Sequence, residues 1–240
     1  MTADSANEVF YAVGCTVRDR YDNVTPRVGA TRDAIIMKFN ATAPCPLLLH
    51  VQLVVDLGTL TTWYGVAVDS TGDLWVCGIT SSPSSFLDVP TCGSTDGVVM
   101  KFAPNGTYLV ADVVGAENVD VLYAVATDRN NNAYVIGYSN SISVNDQINA
   151  GKTIDIFLHF VCVRVRSNLI SFTFPTFLGN KDVLIVKYTS AGQKQWTKRY
   201  GGAGSEQGNA ILVDDAGGVV YVVGTSSSGS GHSRHHRVGT

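Results

Sequence analysis

The sequence predicts an all-β chain built from small antiparallel sheets of four short strands each, and three observations predict it. The 240 residues hold 24 Gly, 10 Tyr and only 3 Met, a balance that favours strands and turns over helices. One run recurs with its spacing kept, as Tyr64-Gly-Val-Ala-Val-Asp69, Tyr123-Ala-Val-Ala-Thr-Asp128 and Asn209-Ala-Ile-Leu-Val-Asp214. A second run, Asp33-AIIM-Lys38-Phe39, Asp96-GVVM-Lys101-Phe102 and Asp182-VLIV-Lys187-Tyr188, stays in step with it. Lys101 to Tyr123 and Lys187 to Asn209 are both 22 residues.

Each element of one repeat follows from its own residues. The opening run, short and apolar, is the first strand. The turn after it (DSTGD, DRNNN or DDAGG) is rich in Asp, Asn and Gly, which accept the left-handed backbone angles of a tight hairpin. A β-branched and aromatic second strand then ends on glycine, at Gly14, Gly78, Gly137 and Gly224. Three residues before each of these stands an aromatic: Tyr11, Trp75, Tyr134 and Tyr221. The third strand, GVVMK in one copy, is apolar on successive residues, so both its faces are expected to be buried. Turns APNG and TSAG lead into a fourth strand, as in Gln193 to Tyr200, which alternates and is polar. Its lysines suit an outer edge. A gradient from apolar inner strands to a polar last one is what a β-propeller blade requires.

The D-x-x-G-[ND]-x-[aromatic]-V-x-G run and the D-[hydrophobic]4-K-[aromatic] run resemble the seven-bladed β-propeller repeat family over about residues 7–229, with interruptions. The resemblance implies a propeller and no catalytic signature. Four second-strand runs and three third-strand runs amount to about three and a half blades over residues 1–230, in units of about 7–62, 63–120, 121–205 and 206–229. The expected fold is therefore a partial β-propeller of four-stranded antiparallel blades, its ring completed by further blades or a partner chain. A closed four-bladed ring, with C-terminal strands pairing against N-terminal ones, is the alternative. Gly137 to Asp182 spans 45 residues where the other copies take 19 and 18, so about 152–179 reads as an out-of-register insertion. Residues 231–240 read as a flexible tail whose His232, His235 and His236 lie among repelling arginines.

The repeat's polar anchors are candidate functional groups, and each also fits a structural role. Asp69, Asp128 and Asp214 stop short of a calcium loop's ligand pattern and fit Asx turns better. Lys38, Lys101 and Lys187 stand five residues after Asp33, Asp96 and Asp182, which puts each pair on opposite faces of a strand. Each lysine is therefore expected to reach a neighbouring blade or solvent. The recurring aromatics fit packing between blades rather than sugar stacking. Gly201 to Gly208 lacks the Lys-Ser/Thr of a phosphate loop. No nucleophile, base or metal constellation is evident, and no cofactor is expected.

A net charge of −3 gives no footprint for nucleic acid. No apolar run is long and uncharged enough to span a membrane, and Met1–Ala6 holds no signal-peptide core. The five cysteines (Cys15, Cys45, Cys77, Cys92, Cys162) show no CxxC spacing and read as reduced thiols. N-x-Thr sequons at Asn23, Asn40 and Asn105, with the family resemblance, favour an extracellular or surface location. The expected function is a non-catalytic scaffold or binding module for protein or glycan. The alternative is a fragment of a larger propeller enzyme or surface protein whose active site lies in other blades.

Overall fold

A computed structural model describes residues 1–4, 7–16, 20–21, 25–26, 32–42, 47–54, 60–82, 85–141, 143–144, 147–148, 163–165, 181–202, 204–214 and 219–227. Three four-stranded antiparallel sheets each meander in chain order. The first is Thr2–Asp4, Val9–Thr16, Asp33–Asn40 and Leu47–Val54; the second is Thr61–Val68, Leu74–Thr80, Asp96–Phe102 and Tyr108–Val114. The third is Asp120–Thr127, Ala133–Ser139, Asp182–Tyr188 and Lys194–Tyr200. A fourth sheet pairs Glu206–Asp214 with Val219–Ser226 and takes Val163–Val165 as its next strand.

Two placements differ from the sequence reading. The first sheet opens at Thr2–Asp4, ahead of the expected boundary near residue 7, because that strand is polar and short and carries none of the apolar run seen in its counterparts. Residues 163–165, expected within an insertion outside the repeat, pair with Val220–Val222 in the fourth sheet's third-strand position. The rest of 152–179 and the histidine tail lie outside the described residues. Among the described residues, the last two strands share no sheet with Thr2–Asp4 or Val9–Thr16.

One apolar cluster fills each seam between sheets. Tyr11, Ala34 and Ile36 of the first sheet meet Val66, Leu74, Val76 and Met100 of the second. Ala67, Trp75, Cys77 and Val99 meet Leu122, Val135, Leu184 and Tyr188 of the third. Tyr134, Ile136, Val183 and Ile185 meet Val213, Val220 and Val222 of the fourth. The second and third strands of the two middle sheets thus bury alternate residues in two different seams, and every residue of Asp96–Phe102 is buried.

Backbone bonds reinforce the seams. The residue before each third strand bridges in parallel to the residue before the next sheet's first strand: Arg32 with Leu60, Thr95 with Val119, Lys181 with Ser205. Thr61, Asp120 and Glu206 each donate their amide across that junction, at 3.1, 2.8 and 2.8 Å. The first strands of the second, third and fourth sheets also pack directly on one another, which makes them the inner strands. No helix among the described residues is long and apolar enough to cross a membrane.

Candidate functional site

The inner strands share a local irregularity. The ladder slips between Trp63 and Gly65, between Leu122 and Ala124, and between Gly208 and Ala210. Tyr64, Tyr123 and Asn209 are therefore the extra, unpaired residues of β-bulges at one position of the repeat. The bulge swings a backbone carbonyl over the glycine that ends the second strand. A Cβ at Gly78 would sit 1.9 Å from the Thr62 oxygen, at Gly137 1.7 Å from that of Val121, and at Gly224 2.0 Å from that of Gln207. Only glycine fits at these three positions, whereas a Cβ at Gly14 would meet nothing within 4 Å.

The bulges build a row of tyrosines from sheet to sheet. The Tyr64 and Tyr123 rings lie 5.5 Å apart, and Tyr123 and Tyr138 6.0 Å apart. Tyr64 is 43% exposed. The Lys181 ammonium stands 4.2 Å from the Tyr138 ring centre, within cation–π range. Burial pushes the Tyr123 hydroxyl up to about 12, with Tyr138 and Tyr64 adding to the rise. It is neutral at physiological pH and keeps its proton as a hydrogen-bond donor. The sequence marks Tyr64 and Tyr123 only as strand residues, since a bulge is a relation between two strands.

The sequence-predicted anchors lie elsewhere. Tyr11, Trp75 and Tyr134 are buried in the seams, while Tyr221 is only half-buried. Each anchor lysine lies directly across from the anchor aromatic of its own sheet: Lys38 from Tyr11, Lys101 from Trp75, Lys187 from Tyr134. The ammonium groups stand 5.5, 5.3 and 5.1 Å from the ring centres. Within-sheet pairing was missed because the sequence distance between partners is set by loops. Lys101 adds ion pairs with Asp73 at 2.7 Å and Asp69 at 3.5 Å in its own sheet, and donates to the Ser190 carbonyl of the next at 2.8 Å.

Asp69 and Asp128 close Asx turns: Asp69 Oδ1 accepts the Thr71 and Asp73 amides, and Asp128 Oδ1 those of Asn130 and Asn132. Among the described residues no cluster of His, Cys, Asp or Glu could hold a metal ion. Cys15, Cys77 and Cys92 are free thiols; Cys45 and Cys162 lie outside the described residues. Asn105 is exposed, and its side-chain oxygen accepts the Thr107 amide; Asn40 is half-buried and accepts from Thr42 in the same way. Asn23 lies outside the described residues.

A set of buried acids lines the strand ends at the seams. Asp33, Asp96, Asp120 and Asp182 are at most 1% exposed. Asp96 accepts the Cys92 amide; Asp120 accepts the Ala116 amide and the Ser141 hydroxyl; Glu206 accepts the Gly202 amide and the Ser226 hydroxyl. These carboxylates tie connecting loops to strands. Burial pushes Asp96 up to about 7, the Cys92 amide opposing and Asp120 adding to the rise. A carboxyl that titrates near 3.8 when unfolded and near 7 when folded binds its proton more tightly in the fold. Its contribution is complete below about pH 4 and is lost as pH rises through 7. Asp96→Asn is thus expected to gain Tm relative to the parent protein between pH 5 and pH 8. A pH-independent difference between the two melting curves would contradict this origin.

A family model described as Beta-propeller repeat matches residues 107–142 and 195–231. No curated protein matches the chain. Each matched stretch takes in the fourth strand of one sheet and the first two strands of the next, the portion that holds the bulge and the glycine. Three four-stranded sheets and a fourth of three strands occur among the described residues, and a count of seven blades is not shown. Two copies of the family's repeat are thus set into antiparallel sheets that share apolar seams, which supports a β-propeller-repeat fold.

Proposed function

We propose that the chain is a non-catalytic binding module, a propeller scaffold that takes protein or glycan partners on its inner-strand surface. The observation that carries this reading is the row Tyr64, Tyr123 and Tyr138 with Lys181 beside it. Aromatic faces supply stacking area for sugar rings and peptide side chains, and the hydroxyls and the Lys181 side chain supply polar anchors. The repeat's acids support the same reading from the other direction. Asp96, Asp120 and Asp182 are shut off from solvent and engaged with loops or with Arg199, so they serve the fold and not a substrate.

Calorimetric titration of the purified chain with neutral and acidic oligosaccharides, and with an extended-peptide library, tests the proposal. Binding by at least one of these classes is expected, weakened about tenfold or more (~1.4 kcal/mol) by Tyr64→Ala. The exposure of Tyr64 means this substitution should leave Tm nearly unchanged. Ligand binding indifferent to Tyr64→Ala and Tyr123→Ala would overturn the assigned surface. Turnover of any substrate, abolished by one point substitution, would overturn the non-catalytic reading.

A further inference from the structure

The residue that leads each third strand differs from seam to seam in a way that follows the tyrosine row. Arg32 stands at the first seam, Thr95 at the second and Lys181 at the third, each bridged to the residue that leads the next sheet's first strand. The row crosses the two sheets that these seams bound, with Tyr64 in the second sheet and Tyr123 and Tyr138 in the third. A basic side chain therefore stands towards each end of the row. At one end Lys181 Nζ lies 4.2 Å from the centre of the Tyr138 ring. At the other, burial raises the Tyr64 hydroxyl and Cys15 adds to the rise, while Arg32 opposes it, so the guanidinium lies close enough to act on that hydroxyl. Arg32 and Tyr64 are both exposed and Tyr123 is half-buried, whereas Tyr138 is buried behind them and seats Lys181. The acids that follow the two basic residues, Asp33 and Asp182, are fully buried, and Asp182 is engaged by Arg199.

We infer that the inner-strand surface takes an acidic oligosaccharide, its sugar rings on the faces of Tyr64 and Tyr123 and its anionic groups held by Arg32 and Lys181. This rests on the binding-module reading and narrows its ligand class. The spacing selects a sugar over a peptide. An extended peptide brings a side chain to the same face only about every 6.6–6.8 Å, a longer step than the 5.5 Å between the two rings. A sugar chain offers a flat ring with an apolar face and rim hydroxyls at every residue, and the 42° between the tyrosine rings suits a chain that turns as it advances. The charge selects an acid. Arg32 presents a planar fork of donors that matches an oxyanion, and Lys181 adds a point charge at the far end of the row. Carboxylate and sulfate share that chemistry.

Calorimetric titration of the full chain with an oligogalacturonate and with its fully methyl-esterified form tests this, because esterification removes the charge and keeps the sugar. A chondroitin sulfate oligosaccharide is the sulfate arm and oligo-glutamate the peptide arm. The uronate or the sulfated chain is expected to bind at least about tenfold tighter than the ester, with a preference that shrinks as salt is raised. Whichever binds tighter names the anion. Arg32→Gln and Lys181→Gln are each expected to cut that preference to about threefold or less. Lys198→Gln, at an exposed lysine on the third sheet's fourth strand, should leave it intact. Equal affinity for acid and ester would overturn the inference and leave the binding-module reading standing. Oligo-glutamate binding as tightly as the acidic sugar, or a preference that Lys198→Gln erodes as much as Lys181→Gln does, would overturn it as well. Failure of every sugar and every peptide to bind would overturn the binding-module reading itself, and this inference with it.

Discussion

Trp75→Ala is expected to destabilise the protein by about 3–5 kcal/mol, the range for truncating a fully buried large aromatic. For a chain of this size that corresponds to a fall in Tm of roughly 6–20 °C. Trp75 is wholly buried at the middle seam, its ring 6.0 Å from that of Tyr188 in the third sheet. The indole nitrogen has no hydrogen-bond partner, so the contribution is apolar burial and ring contacts rather than a polar anchor. The ring also faces Lys101, whose side chain is 8% exposed and paired with Asp69 and Asp73. Removing it leaves a void beside a nearly buried ion pair, so two costs coincide. Trp75→Phe should recover part of the loss by refilling part of the volume. Tyr221→Ala is the internal control: the same repeat position, with a ring that is only half-buried, should cost far less. Urea melts of the three variants check the ranking, and a loss below about 1 kcal/mol for Trp75→Ala would contradict the role of the seam.

Arg199→Met is expected to cost a comparable amount, about 3–5 kcal/mol, by stranding a buried carboxylate. The Arg199 side chain is 2% exposed and that of Asp182 is not exposed at all. One guanidinium nitrogen donates to the Ser141 carbonyl at 2.7 Å; the other reaches Asp182 at 3.2 Å and the Ser139 carbonyl at 3.3 Å. This one side chain therefore joins the third sheet's fourth strand to its third strand and to the end of its second. Burial pushes Asp182 up to about 6, Arg199 pulling it down and Glu206 pushing it up. Without the guanidinium the carboxyl should rise further and be protonated over more of the pH range. Proton uptake relieves a stranded carboxyl, so the loss should be largest above pH 7 and shrink towards pH 5. Asp182→Asn in the Arg199→Met background should recover part of the stability at pH 8. Denaturation at the two pH values checks this, and an equal loss at both would mean the cost is lost packing rather than charge.

These two positions show what was legible in the sequence. Trp75 was readable because its signal is local, an aromatic at a fixed offset from a glycine. The glycines themselves were readable for the same reason, although the bulge that demands them was not. Arg199 was read with the lysines of a polar outer strand, and its neighbours behave that way: Lys194 meets Asp112 near the surface at 2.8 Å. What buries Arg199 are groups 17 and some 60 residues away, and no spacing rule connects them. Asp120 and Glu206 escaped notice because they stand at strand starts, where an acid resembles any turn residue. The tyrosine row was hidden because strand alternation assigns Tyr64 and Tyr123 to a regular ladder that the bulges break. Val163–Val165 looked out of phase because it joins the fourth sheet through backbone pairing from an unusual distance along the chain.

The parallel bridges between sheets bear on how such a chain can change. The second and third strands meet at Thr80 and Asp96, 16 residues apart, in one sheet, and at Ser139 and Asp182, 43 apart, in another. Both third strands nevertheless enter at the same junction, led by Thr95 and Lys181. By loop-closure entropy the longer excursion costs only about 1 kcal/mol more. That rim can therefore accept new peptide of almost any length while the stack behind it keeps its spacing, which makes it the natural place for lineage-specific elaboration or for grafting a foreign segment.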